Sequence, residues 1–487
     1  MFFSPILFNL FINNICNIFD KSCDPVQLNN VDINCLLWAD DLLLVSQTPA
    51  GLQKSIDKMK SFYDSLGLEV NIKKTKVMIM NKRGRKLDNL YQFKLNEKTI
   101  EIVDQYQYLG LKLRPSGSMA LAVQELHDKA SRAWFGISNV IYRNKRMEVD
   151  KIFEIFNSLV TPVATYGSPF WLPHIIPKKF LENEKQIMDY WESFKSELLQ
   201  QKCARIVLSV HKKTSRLAVL GELAQYPLFL QSLSQCYNYK LSLLNRRSSN
   251  NLIGHVLKEL ETMSSKGQDC WLTRVNKIEK SLKIPLNIFY NKTSGKRILT
   301  FLKGKFDGYF LDQINKIKLV GPDTSDHNKL RTYKSFKGSF TRDPYLTLVR
   351  NRNQRCHLTR LRVSSHNLRI ELGRHTRPVT PVQQRTCQYC HHAPPPLDKS
   401  DHPAPPPDTE IHFLVQCPLF SAERNCLFVK MNSISPGFET LSLEEKFKVL
   451  LCPTTARTVK LINKFIKLMF EGRKKIDQTD NVNPSQA

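Results

Sequence analysis

The 487-residue chain contains no run of about 18 uninterrupted apolar residues, so no segment reads as a membrane-spanning helix. Cysteine is sparse. Its 12 copies are scattered, with one close pair, which is too few for a disulfide scaffold at this length. That usage predicts a reducing, intracellular setting, cytoplasmic or nuclear, with provision for one metal site. The apolar start MFFSPILFNLFINNICNIF is not expected to be a secretory leader: it has no basic n-region, and Asn9, Asn13, Asn14 and Asn17 interrupt it. Acidic residues are in deficit, with 44 Asp+Glu against 72 Lys+Arg and a net charge of +28. Such an excess points to a polyanionic partner, either nucleic acid or an anionic membrane surface. The membrane alternative finds no lipidation signal and no strongly amphipathic basic helix to support it. The remaining composition is ordinary, with 41% hydrophobic and 24% charged residues, as expected of a globular chain of about three domains.

Periodicity predicts an α+β protein. Residues 1–113 read as mixed. Leu7, Leu10, Phe11, Ile15 and Ile18 fall on one helical face, predicting a buried amphipathic helix. The segment CLLWADDLLLVS then reads as a hairpin. Pro49 opens a helix whose apolar positions Leu52, Ile56, Met59, Phe62 and Leu66 keep helical spacing, and Gly67 ends it. A strand at Val77–Met80, a hairpin around Asn96-Glu97 and a strand in YQYLGLKL follow. Residues 114–330 read as long helices. The stretch 331–377 holds twelve Lys and Arg against only Asp343 and Glu371. Residues 378–425 carry the close cysteine pair and a proline-rich segment, 393–407, expected as an irregular exposed loop. Residues 426–487 read as a helical tail.

Asp40 and Asp41 sit at the expected turn, between apolar runs on either side. Asp is a common turn residue, and a lone Asp-Asp favours that use. Adjacent carboxylates held by apolar strands are also a Mg²⁺ site for phosphoryl or nucleotidyl transfer, because Mg²⁺ takes oxygen ligands and keeps positions open for phosphates. The order of neighbouring motifs decides between them. Ser4-Pro5-Ile6-Leu7-Phe8-Asn9-Leu10, Trp38-Ala39-Asp40-Asp41, Gly67-Leu68-Glu69-Val70-Asn71 with Lys74-Thr75-Lys76, and Tyr108-Leu109-Gly110 follow one another within about 110 residues. This series resembles successive palm motifs of reverse transcriptases, in particular those of non-LTR retrotransposons. The resemblance implies a palm of antiparallel strands and helices over 1–113, with a helical thumb and connector over 114–330. It implies Asp40 as the principal Mg²⁺ ligand, Asp41 as its neighbour, and Lys74 near the nucleotide phosphates. Tyr108, Leu109 and Gly110 would form the hairpin that grips the primer. It also implies that these 487 residues start within the second palm motif and lack the fingers and the strand bearing the other catalytic aspartate. An incomplete site, inactive alone, is therefore expected.

Cys387-x₂-Cys390 is followed after 21 residues by His412-x₄-Cys417, a donor set soft enough for tetrahedral Zn²⁺. The set resembles the Cys-Cys-His-Cys segment that follows the polymerase in non-LTR elements. There the second gap is shorter, and here it leaves His391, His392 and His402 as competing ligands. Closure entropy grows slowly with loop length, so the insertion need not abolish the site; the alternative is a pair of buried cysteines and a core histidine. Lys329–Leu346 and Leu361–His375 share the resemblance. The Arg and Lys of 331–377, Arg350, Arg352, Arg355, Arg360 and Arg362 among them, are interleaved with Tyr333, Phe336, Phe340 and Tyr345, a pattern suited to phosphate contacts and base stacking, although a charge run alone reads as a solvated helical face. The function implied is RNA-directed DNA synthesis with an RNA template and a DNA target or primer as partners. The alternative is a non-catalytic nucleic-acid-binding remnant.

Overall fold

A computed structural model describes residues 4–81, 91–246, 251–285, 294–317, 329–392 and 405–482. Residues 393–404 of the expected proline-rich loop, His402 among them, lie outside these. The fold is α+β, as expected: mostly helices, with strands confined among the described residues to four two-stranded antiparallel hairpins. Two compact units form. One comprises residues 1–128, 166–187 and 232–298, and the other 129–165, 188–231 and 299–487. The five consecutive segments expected from composition are therefore not five separate bodies. Composition changes along the chain, whereas compactness depends on which distant segments pack together.

In the first unit the hairpins are β1 (Val26–Leu28) with β2 (Val31–Ile33), β3 (Cys35–Trp38) with β4 (Asp41–Leu44), β5 (Phe93–Leu95) with β6 (Lys98–Ile100), and β7 (Tyr106–Tyr108) with β8 (Leu111–Leu113). The β1–β2 pair turns at Asn29-Asn30, both at positive φ, a turn chemistry that the sequence reading overlooked. The expected strand at Val77–Met80 shrinks to one parallel bridge, Val77 with Ile102, because only Val77 exchanges backbone bonds with that neighbour. The opening helix, Ser4–Ile12, gives way to a 3₁₀ turn over Asn13–Asn17. This corrects the expected buried face. The tighter three-residue turn brings Ile12 and Ile15 inward and leaves Leu7, Leu10 and Phe11 exposed. The helix Pro49–Ser65 forms as expected, with proline in its first turn and the Thr48 hydroxyl accepting from the Gly51 amide at 3.0 Å. It sets Ile56 and Met59 against Ile15, Phe19, Phe93, Leu95 and Ile100, and this apolar cluster backs the hairpins.

The second unit is helical around Phe153, Phe156, Val207, Leu208, Leu358, Leu361, Ile462 and Ile466, all buried. The tail helix Ala456–Val482 packs on the helix Cys356–Arg362 instead of standing apart. There the Asn463 side-chain oxygen accepts from the backbone amides of His357 at 2.8 Å and Leu358 at 3.3 Å, satisfying two donors at that helix start.

Candidate functional site

In the β3–β4 hairpin Cys35 faces Leu44, Leu37 faces Leu42 and Trp38 faces Asp41. Cys35, Leu37, Leu42 and Leu44 pack toward the apolar cluster, so the two-residue alternation turns Trp38 and Asp41 to the other face. Ala39 adopts φ +51 in the two-residue turn, and Asp40 follows it at the exposed tip. Both carboxylates are exposed. The neighbouring hairpin approaches them: the Tyr108 hydroxyl is pushed up in pKa by burial and by the charge of Asp41. Its turn, Leu109-Gly110, has φ of +46 and +80. The Tyr166 hydroxyl donates to the Leu109 carbonyl at 2.9 Å, and a Cβ on Gly110 would lie 3.1 Å from the Tyr166 ring, so glycine meets both a conformational and a spatial need. Lys74 is exposed in a turn pinned by Asn71, whose side-chain oxygen accepts its amide at 3.2 Å. The Lys74 carbonyl accepts from the Tyr106 hydroxyl of β7 at 3.3 Å. The three motif segments thus meet around one pair of hairpins.

Two exposed, adjacent carboxylates offer hard oxygen donors suited to Mg²⁺. Among the described residues, however, no third Asp, Glu, His or Cys joins them in a ligand group.

The second centre is more complete. Cys387, Cys390, His412 and Cys417 place one donor atom each within 4.8 Å of the others, and Cys390 Sγ lies 3.3 Å from His412 Nε2. A tetrahedron with metal–sulfur legs of about 2.3 Å has edges of about 3.8 Å, so the donor set fits Zn²⁺ with small adjustments. Residues flanking the proline-rich insertion are clamped together by a bridge between Thr386 and Pro407 and by the Cys387 amide donating to the Pro406 carbonyl at 2.8 Å. This is how the long gap leaves the donors together. His391 and His392 lie outside the group. The Cys417 thiol is pushed down in pKa, first by a hydrogen bond from the Cys387 thiol and then by His412. The same bond raises Cys387, and burial raises Cys390 to about 11. Arg473 sits 3.4 Å from Cys387 Sγ and is itself held by Asp408 at 2.9 and 3.1 Å. Three thiolates and one Zn²⁺ would carry a net negative charge, which that guanidinium offsets.

The basic stretch is different from its expectation. Arg352, Arg355 and Arg362 are only 2%, 1% and 1% exposed, so they are not available to phosphates. Arg352 donates to the carbonyls of Ile206 (2.8 Å), Ile141 (2.6 Å), Tyr142 (3.0 Å) and Asn144 (3.3 Å). Arg355 reaches the Val207 carbonyl at 3.3 Å, and Arg360 the Ser209 carbonyl at 2.8 Å. These carbonyls end the helices Ala120–Arg143 and Glu197–Leu208, so the arginines satisfy acceptors that a helix C-terminus leaves over. Arg362 is bound to Glu222 at 2.6 Å and to Asp343; burial opposes its charge, and these carboxylates outweigh it. Tyr333, Phe340 and Tyr345 are buried, which rules out base stacking on them. Arg350 alone of the five is largely exposed, paired with Glu148 at 2.8 Å.

An exposed basic and aromatic face exists elsewhere, and the sequence reading passed over it. Helix residues Ala130, Trp134 and Ile141 are buried, while Phe135 is 80% and Tyr142 59% exposed on the other side. Lys129, Arg132, Arg143, Lys145 and Arg146 accompany them with no acidic residue from 129 to 146. The Lys145 ammonium lies 3.8 Å from the Tyr142 ring centre. The available signal was aromatics out of phase with the buried Trp134 stripe.

Residues 1–113, which contain the hairpin turns of Asp40 and Tyr108 and the turn of Lys74, match the reverse transcriptase (RNA-dependent DNA polymerase) family. Two relatives carry names from mobile elements. The chain is 28% identical over 150 residues to a transposon-derived protein of Caenorhabditis elegans, covering 30% of this chain and 51% of that protein. It is also 28% identical over 120 residues to the Pol polyprotein of the type-2 retrotransposable element R2DM of Drosophila melanogaster, covering 23% of this chain and 11% of the polyprotein. The chain thus spans about half of one relative and about a tenth of the other.

Proposed function

We propose that this protein is a nucleic-acid-binding part of a non-LTR reverse transcriptase, engaging an RNA template and a DNA target or primer. Asp40 would be the principal Mg²⁺ ligand with Asp41 beside it, Lys74 would serve the nucleotide phosphates, and Tyr108, Leu109 and Gly110 would steady the primer. Cys387, Cys390, His412 and Cys417 would hold one structural Zn²⁺. Phosphate and base contacts fall to the exposed face of residues 129–146, where guanidinium groups neutralise phosphates and Phe135 and Tyr142 offer stacking surfaces.

The 487 residues by themselves would bind without polymerising. The observation that carries this is the lack, among the described residues, of a third ligand beside Asp40 and Asp41. Nucleotidyl transfer uses two metal ions about 3.5–4 Å apart, and carboxylates from more than one strand are needed to bridge them. Primer extension on an RNA template in Mg²⁺ tests it. The chain and its Asp40→Ala variant should both fail to extend, while both bind the template with affinity falling steeply as salt rises. Extension by the chain that Asp40→Ala abolishes would refute an incomplete site.

A further inference from the structure

The first unit contains a cavity of about 750 Å³ unrelated to either centre above. Lys178 and Lys185 stand on one wall, and Lys277, Lys280 and Lys283 on the other, with Glu182 and Glu184 as its acidic residues. The walls are tied together. The Ser281 hydroxyl donates to the Leu181 carbonyl at 2.8 Å, and Leu181, Ile278 and Leu282 are buried beneath them. Arg274 braces the helix Trp271–Leu282 by donating to the carbonyls of Pro173 at 3.1 Å and His174 at 3.0 Å and to Asp269 at 2.7 Å. Of the five lysines, Lys178 is spoken for, paired with Asp269 at 3.2 Å. Lys185, Lys277, Lys280 and Lys283 are exposed and make no ion pair among the described residues.

Four unneutralised ammonium groups around one concavity repel one another, and the low-dielectric walls focus their field on whatever enters. Glu182 and Glu184 offset part of this charge, and an anion entering the cavity relieves the rest. Lys277 and Lys280 are three residues apart on the helix, about 5–6 Å between Cβ atoms, a spacing that suits a series of phosphates better than a single one. The volume is in the range of ligand sites, about 300–1,000 Å³, which suits a short piece of one strand and is too small for a duplex.

We infer that this cavity is a second phosphate-backbone site, holding a single strand of nucleic acid through Lys185, Lys277, Lys280 and Lys283. The inference rests on the nucleic-acid-binding function proposed above, but uses residues far in sequence from the 129–146 face.

The test is lysine acetylation of the full chain, read by mass spectrometry, with a 20-nucleotide oligouridylate, with tripolyphosphate, and with neither. The oligonucleotide should protect the four lysines and tripolyphosphate should not. In parallel, the variant with all four lysines changed to glutamine should lose affinity for the oligonucleotide. Its plot of log affinity against log salt should flatten by about 3, at about 0.7 for each phosphate of a single strand that is no longer neutralised. Binding with the four lysines as reactive as before, or a quadruple variant of unchanged slope, overturns the cavity site and leaves the proposed function standing. Equal protection by tripolyphosphate overturns the choice of a strand in favour of free polyphosphate. No binding of the oligonucleotide at all removes the proposed function, and this site with it.

Discussion

Replacing Arg352 by alanine separates a structural arginine from a phosphate-binding one. Its guanidinium donates to Ile206, Ile141, Tyr142 and Asn144 carbonyls at 2.6–3.3 Å, tying the C-terminal ends of two helices together at 2% exposure. Truncation leaves those acceptors buried and adds a cavity of guanidinium size. Orphaning a buried acceptor costs about 1–3 kcal/mol, and these four carbonyls do not all lose their only partner, so about 3–5 kcal/mol is expected. Against a typical stability of about 5–15 kcal/mol, that is a large loss. Arg352→Lys should rescue little, because one ammonium cannot span acceptors from two helices. Arg350→Ala is the contrast: that side chain is exposed and paired only with Glu148, so its removal should change stability by about 1 kcal/mol or less. Urea denaturation followed by circular dichroism measures both variants. RNA affinity at a temperature where the Arg352→Ala chain remains folded should match the parent protein. If Arg352→Ala unfolds like the parent yet binds RNA far more weakly, the helix-end role is wrong.

Glu197 is fully buried, with its carboxyl accepting from the Phe229 amide at 2.8 Å and burial pushing its pKa up to about 8. The folded state therefore holds a proton that the unfolded chain releases near pH 4.5, so its contribution falls as pH rises from about 4.5 to 8. Glu197→Gln should add about 3 kcal/mol at pH 7 and almost nothing at pH 4.5, and a gain independent of pH in denaturation curves would contradict this. The purified chain should contain one Zn²⁺; removing it with a chelator, or Cys417→Ser, should raise amide exchange over residues 385–417. A metal-free chain with unchanged protection there would dismiss the zinc site. Changing Phe135 and Tyr142 together to alanine should weaken single-strand RNA binding by about 1–3 kcal/mol per stacked base with little change in salt slope, and an unaltered isotherm would remove the stacking role.

Local order carries much of this protein in its sequence. The Pro49–Ser65 helix and the Asp40-Asp41 hairpin follow from residue periodicity and turn chemistry, and both appear where expected. The Cys387, Cys390, His412 and Cys417 set was readable from donor type and spacing, even though its two halves lie 21 residues apart. Other features needed the tertiary structure. Charge along a sequence does not say which side of a surface it occupies. Arg352, Arg355 and Arg362 read as phosphate ligands until helix ends and the carboxylates of Glu222 and Asp343, the former from far away in sequence, enclosed them. Conversely, nothing in the sequence reading singled out Phe135, and only the packing of Trp134 and Ile141 turned it outward. The opening helix failed for a related reason: a switch to a 3₁₀ turn after Ile12 rotated the apolar stripe. Lysines at 178–185 and 277–283, about 100 residues apart in the chain, share one cavity only because Ser281 and Arg274 bind one helix to the other segment's backbone. Short-range chemistry is written in neighbouring residues, whereas burial and charge compensation are properties of contacts between residues that only folding makes neighbours.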